Sequence, residues 1–150
     1  MNKTQLVKKL KNKVGEKIVV KGKYYLGTFS PSISLSFYKI YGDLTIIRTI
    51  EKVSNTRLVT KNEKIEGDIE KIIDDWFKNF MKSIVFNEGV VSEEEKNNTL
   101  ETLRKEFEDQ RKNFRTSDHK GVIYSDFPKA SEMEIGENYF IMSEHKYILD

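Results

Sequence analysis

At 150 residues the chain is long enough to bury a core without staples, and 37% hydrophobic with 33% charged residues is too apolar a mixture for wholesale disorder. It has no cysteine, which excludes disulfides, thiolate metal sites and cysteine nucleophiles and points to a reducing, cytoplasmic setting. The net charge of +2 is too small for a dedicated polyanion binder, yet it averages two unlike halves.

Up to Lys61, thirteen Lys and Arg stand against Glu16, Asp43 and Glu51, a balance of +10; beyond it thirteen stand against twenty-one acidic residues, a balance of −8. Such polarity can steer a polyanion, or it can draw the two halves of one fold together. The first 23 residues carry lysines at short intervals and no apolar run of signal-peptide length. No stretch is long enough to span a bilayer, so no membrane partner is expected. Lys, Asn, Ile and Glu are used liberally while alanine occurs once, at Ala130, the usage of an AT-rich genome such as a low-GC bacterium or its phages.

The first predicted element is a short helix: Leu6, Val7, Leu10 and Val14 share one face among lysines, and Gly15 stops it. Residues 17–29, rich in β-branched and aromatic side chains, read as a strand, and Ser30-Pro31-Ser32 as a turn. Ile33, Leu35 and Phe37 alternate with polar residues, giving a strand over 33–41. Gly42-Asp43 predicts a tight hairpin into a strand over 44–53. Ser54-Asn55-Thr56 reverses the chain into a short strand at 57–60.

The strongest periodicity follows. Ile65, Ile69, Ile72, Ile73, Trp76, Phe77, Phe80, Met81 and Ile84 give a wide apolar helical face over 65–86, the expected core organiser. Gly67 interrupts its first turn, so Asp68 is an alternative N-cap that would leave 61–66 as a loop. Asn87-Glu88-Gly89 marks the stop. Ser92 with Glu95 forms a capping box for a second long, charged helix with a thin seam of Leu100, Leu103, Phe107 and Phe114. This helix either leans on the first or projects as an arm. Short strands return at 122–124, 139–142 and 147–149, as a small second sheet or as added edge strands. The expectation is an α+β domain over 1–150. An α-β-β-β-α core at 1–89 has an antiparallel sheet of three to four strands on the long helix, and 90–150 forms a helical arm and C-terminal β elements. The order helix, three strands, helix resembles that of double-stranded-RNA-binding domains. The start of their last helix is lysine-rich, whereas 64–75 here is acidic and crowded with isoleucine, so no residue role is carried across.

Catalytic patterns are missing. Gly15, Gly22 and Gly27 match neither a Walker loop nor a dinucleotide turn, and no Gly-x-Ser-x-Gly elbow exists. His119 and His145 stand apart and read as surface histidines. Glu66, Asp68, Glu70, Asp74 and Asp75 could in principle hold magnesium, but their helical spacing beside Lys71 and Lys78 reads as a solvated face. No enzyme activity, metal or cofactor is expected.

Binding has more support. Lys8, Lys11, Lys17, Lys21, Lys23, Tyr24, Arg48 and Arg57 form the candidate basic surface, mixing cations with an aromatic as single-strand binders do. Glu94, Glu101, Glu108 and Asp109 form the acidic alternative, which would imitate a phosphate backbone toward a basic partner. The function expected is a non-catalytic inhibitor or regulator of phage or mobile-element type. It would occlude a host nucleic-acid-handling complex, as anti-CRISPR proteins do. The alternatives are direct nucleic-acid binding through the basic half, and an immunity protein or antitoxin. A direct binder must gather its cations on one face; an inhibitor should expose an apolar or acidic patch.

Overall fold

The computed structural model describes residues 1–33, 36–87, 89–114 and 118–150. In chain order the elements are α1 (Lys3–Lys11), β1 (Lys17–Phe29), β2 (Tyr38–Val53), β3 (Arg57–Glu66), α2 (Ile69–Ser83), α3 (Glu93–Gln110), β4 (His119–Asp126), β5 (Glu134–Ile135), β6 (Tyr139–Met142) and β7 (His145–Ile148). The class is α+β, with three α-helices and a seven-stranded antiparallel sheet among the described residues, in the order β4-β3-β2-β1-β7-β6-β5. The strand count exceeds the three to four expected because the C-terminal strands join the same sheet. β4 pairs with β3, and β7, with β6 and β5 beyond it, pairs with β1.

The chain forms two compact units. Met1–Lys23, Asp43–Gly67 and Ser117–Asp150 make the first; Tyr24–Gly42 and Asp68–Thr116 make the second. β1 and β2 are long enough to contribute to both. Residues from either side of position 90 enter each unit.

In the first unit α1 opens on a capping box: the Asn2 side chain accepts from the Gln5 amide (2.8 Å) while the Gln5 side chain accepts from the Asn2 amide (2.9 Å). Its buried Leu6, Val7 and Leu10 meet the face of the sheet that buries Ile18, Val20, Ile46, Ile50, Leu58, Phe140 and Tyr147. Each such aliphatic side chain, fully buried, contributes about 1.5 to 3 kcal/mol. The even positions of β1 and β2 point into this core, so the odd positions point away from it. β3 runs through 61–66, which the sequence reading leaves as loop or assigns to a helix. A bulge there, with Asn62 at φ 55°, disturbs the apolar alternation that would have marked a strand.

In the second unit α2 begins at Asp68, whose carboxylate accepts from the Lys71 amide (3.1 Å), and Gly67 turns the chain in at φ 121°. The helix is therefore shorter at both ends than 65–86. It stops at Ser83, with Ile84 already extended. The predicted stop at 87–89 lies beyond it, and Glu88 is outside the described residues. Ser92 accepts from the Glu95 amide and starts α3 as predicted.

The core of this unit is aromatic. Phe29, fully buried, has Trp76, Phe77, Phe80, Phe107 and Phe114 at centroid distances of 5.8 to 6.4 Å, all edge to face. Arg111 clamps the helices, bonding Glu70 (3.0 Å), Asp74 and Glu108 (3.7 Å). α3 is thus packed on α2, the first of its two predicted dispositions.

The predicted hairpin at Gly42-Asp43 does not form, because β2 passes straight through it. Gly42 is needed for closeness: a Cβ there would lie 2.7 Å from Ile72 Cγ2 and 2.9 Å from Leu26 Cδ1. The strand predicted over 33–41 also fails in its first half. Ile33 is half-exposed in a turn, Phe37 is exposed ahead of β2, and Leu35 lies outside the described residues. The three strands between α1 and α2 are neighbours in the sheet, which extends past them on both sides.

Candidate nucleic-acid interface

The odd face of β1 in the first unit presents Lys17, Val19, Lys21 and Lys23, with all three lysines exposed. β7 extends that face: Lys146 is the register partner of Lys21, and Ile148 that of Val19. Two lysines thus sit directly across from each other, an arrangement that like-charge repulsion disfavours. The Lys146 ammonium lies over the Tyr139 ring, 4.6 Å from its centroid. Glu134 approaches the same tyrosine from the sheet edge, and its charge and hydrogen bond push the phenol above its usual range. None of Lys17, Lys21, Lys23 and Lys146 makes an ion pair among the described residues.

On the other side of β1 the face continues through Thr45, Ile47 and Thr49 of β2, then Lys64, Lys61 and Arg57 of β3, to Val122 and Tyr124 of β4. Lys61 pairs with Glu51 (2.8 Å) and Arg57 with Asp126 (2.7 Å). The Arg57 guanidinium also lies 5.3 Å from the centroid of Tyr124, a ring 64% exposed. These two side chains, with Lys52, Val59 and Val122, line an open depression of about 530 Å³. A sheet face carrying unpaired ammonium groups on β1 and β7 and an exposed aromatic ring on β4 can neutralise phosphates and stack a base.

The sequence candidates divide. Lys17, Lys21 and Lys23 come together. Lys8 and Lys11 are exposed on α1, the layer on the other side of the sheet, and Lys11 donates to Asn55 Oδ1 (3.4 Å). Tyr24 takes the even, half-buried orientation in β1, away from the lysines. Arg48 points into the core, 8% exposed, with Nε and Nη2 2.8 and 2.7 Å from Glu63 Oε1. It is therefore a structural ion pair and no part of a surface. Arg57 is on the open face but committed to Asp126. The requirement that all the basic candidates share one face is not met.

The acidic alternative is a real stripe. Glu94, Glu101 and Glu108 recur every seven residues on exposed positions of α3, with Asp109 beside the last. Lys105 pairs with Glu101 (3.5 Å) and Arg111 with Glu108, so the stripe is partly neutralised. The linear charge polarity is also largely folded away, with sixteen Lys and Arg against twelve acidic residues in the first unit and ten against twelve in the second. The β1–β7 strip keeps a local excess of positive charge on the open sheet face.

Lys146 and Tyr139 were missed because only the sheet order brings the C-terminal hairpin beside β1. Among the carboxylates considered for a metal, Asp68 caps α2 while Glu70 and Asp74 hold Arg111. Among the described residues no group of three or more metal-ligating side chains gathers. His119 starts β4, and His145 Nε2 donates to the Lys23 carbonyl (3.0 Å). No helix among the described residues is long and apolar enough to cross a membrane. Neither a family model, nor a curated protein, nor a solved structure matches this chain.

Proposed function

We propose that the protein is a non-catalytic binding protein whose working surface is the open lysine face of the first unit and whose ligand is nucleic acid. The observation that carries this reading is the cross-strand pair Lys21 and Lys146, flanked by Lys17 and Lys23 and without carboxylate partners among the described residues. Opposed like charges destabilise a sheet, and an anion laid along the strands would relieve the repulsion while releasing counterions. The contact is to phosphate and so tolerant of sequence; Tyr124 offers a stacking platform.

The test is fluorescence polarisation with short single- and double-stranded DNA and RNA between about 50 and 200 mM salt. Steeply salt-dependent binding that is lost in Lys21→Glu/Lys146→Glu supports the reading; absence of binding at the lowest salt rejects it. A second reading, a regulator that occludes a protein, is favoured by apolar surface in the second unit. There Tyr38, Trp76, Phe80 and Ile84 line an open depression of about 560 Å³.

A further inference from the structure

The second unit carries a groove between α2 and α3 that the nucleic-acid reading does not use. Phe77 and Met81 on α2 and Leu100 on α3 form its floor; Lys78 and Lys82 on one side and Arg104 on the other form its rims. On α2 the floor pair Phe77 and Met81 and the rim pair Lys78 and Lys82 are each four apart and run as adjacent rows along the helix, and on α3 Leu100 and Arg104, also four apart, form a single row. The groove encloses about 410 Å³, room for a few aliphatic side chains. Met81 and Leu100 stay half-buried, and Val85 and Val90 of the segment connecting the helices are 89% and 77% exposed. None of the three rim cations has an ion-pair partner among the described residues, whereas Arg111 on the same helix pair has three.

We propose that this groove docks an acidic amphipathic helix from a partner protein. Two antiparallel helices leave between them the channel into which a third packs, with apolar knobs entering at every turn. The floor selects an apolar stripe; the lysine pair on α2 and Arg104 on α3 select carboxylates beside it. An occupant with a basic flank would bring like charges together along Lys78 and Lys82, which gives discrimination as well as affinity. This inference is independent of the lysine face.

The experiment uses the full chain and a labelled helical peptide of about four turns, with leucines along one stripe and glutamates on both flanks. Its counterpart has lysine at every glutamate. Fluorescence polarisation should show binding of the acidic peptide alone, weakened about tenfold or more in Lys82→Glu/Arg104→Glu and unchanged in Lys21→Glu/Lys146→Glu. The Met81 methyl resonance of the unaltered protein should shift on titration, a readout that needs no variant to fold. Equal binding of both peptides, a loss confined to the Lys21/Lys146 variant, or no binding at about millimolar peptide overturns the proposal. So does sedimentation showing that a second copy of the chain fills the groove.

Discussion

Phe77 and Phe107 lie face to face across the α2–α3 contact, ring centroids 3.9 Å apart and planes within 1° of parallel. Phe107 is 1% exposed and also meets Phe29, Phe114 and Trp76, so its removal would open a cavity among four other rings. Phe107→Ala should therefore destabilise the protein by about 3 to 5 kcal/mol in urea unfolding. Trp76, the largest residue of the α2 apolar face, is only half-buried, stacking on Phe80 at 5.3 Å. Trp76→Ala should cost less, about 1 to 3 kcal/mol, in keeping with the area it buries. The reverse ranking would move the core of this unit from Phe107 to the indole.

Arg48 makes a different kind of prediction, because sequence marks it as a surface cation and the fold buries it against Glu63. Arg48→Met leaves an unpaired carboxylate in a low-dielectric site and should destabilise by about 3 to 5 kcal/mol, while Arg48→Met/Glu63→Met should recover most of that loss. Thermal melting distinguishes the two. Nucleic-acid affinity of the double variant should match that of the unaltered protein.

Gly42 shows why part of the fold was legible and part was not. Helix existence, the α3 cap at Ser92, the span of β1 and the turn at 54–56 are local chemistry, and each is found where the sequence places it. Gly-Asp between apolar runs is also local hairpin chemistry, but the glycine is there for the approach of Ile72, a contact that no window around position 42 contains. The same holds for the candidate site. The β1 lysines are visible through period-two alternation, whereas Lys146 depends on β7 pairing with β1. Arg48 and Lys21 look alike in sequence; opposite strand parity separates them.

Gly42→Ala should accordingly destabilise by about 1 to 3 kcal/mol through crowding of Ile72 and Leu26. In an Ile72→Ala background the same change should cost clearly less, a coupling that a double-mutant cycle in urea measures. Additive effects would mean that the glycine serves backbone conformation and not helix approach.

The Arg111 clamp sets a pH dependence. The hydrogen bond from Arg111, the largest influence, holds the Asp74 carboxyl below the usual carboxylate range. A carboxylate with its folded value below its unfolded one stabilises the fold above the unfolded titration, and that contribution is lost as pH falls through the folded value. Asp74→Asn should then lower stability at neutral pH, and the gap to the unaltered protein should close below about pH 4. Asp74 is 58% exposed, so water screens the pair and the effect stays under about 1 kcal/mol. Melting curves across pH read it directly; a gap that persists in acid would assign the loss to packing.

Lys21 tests function against stability in one residue. Opposite Lys146, a glutamate would replace repulsion with attraction, so Lys21→Glu should raise stability by about 0.2 to 1 kcal/mol. The same change removes one phosphate-contacting charge and adds a like one, so nucleic-acid affinity should fall and the salt dependence flatten by about one unit of log–log slope. Lys8→Glu, on α1, should leave binding nearly unchanged. A residue whose replacement improves the fold while weakening binding is held in place by its ligand; if Lys21→Glu melted higher yet bound as before, the β1–β7 strip would be an ordinary solvated surface.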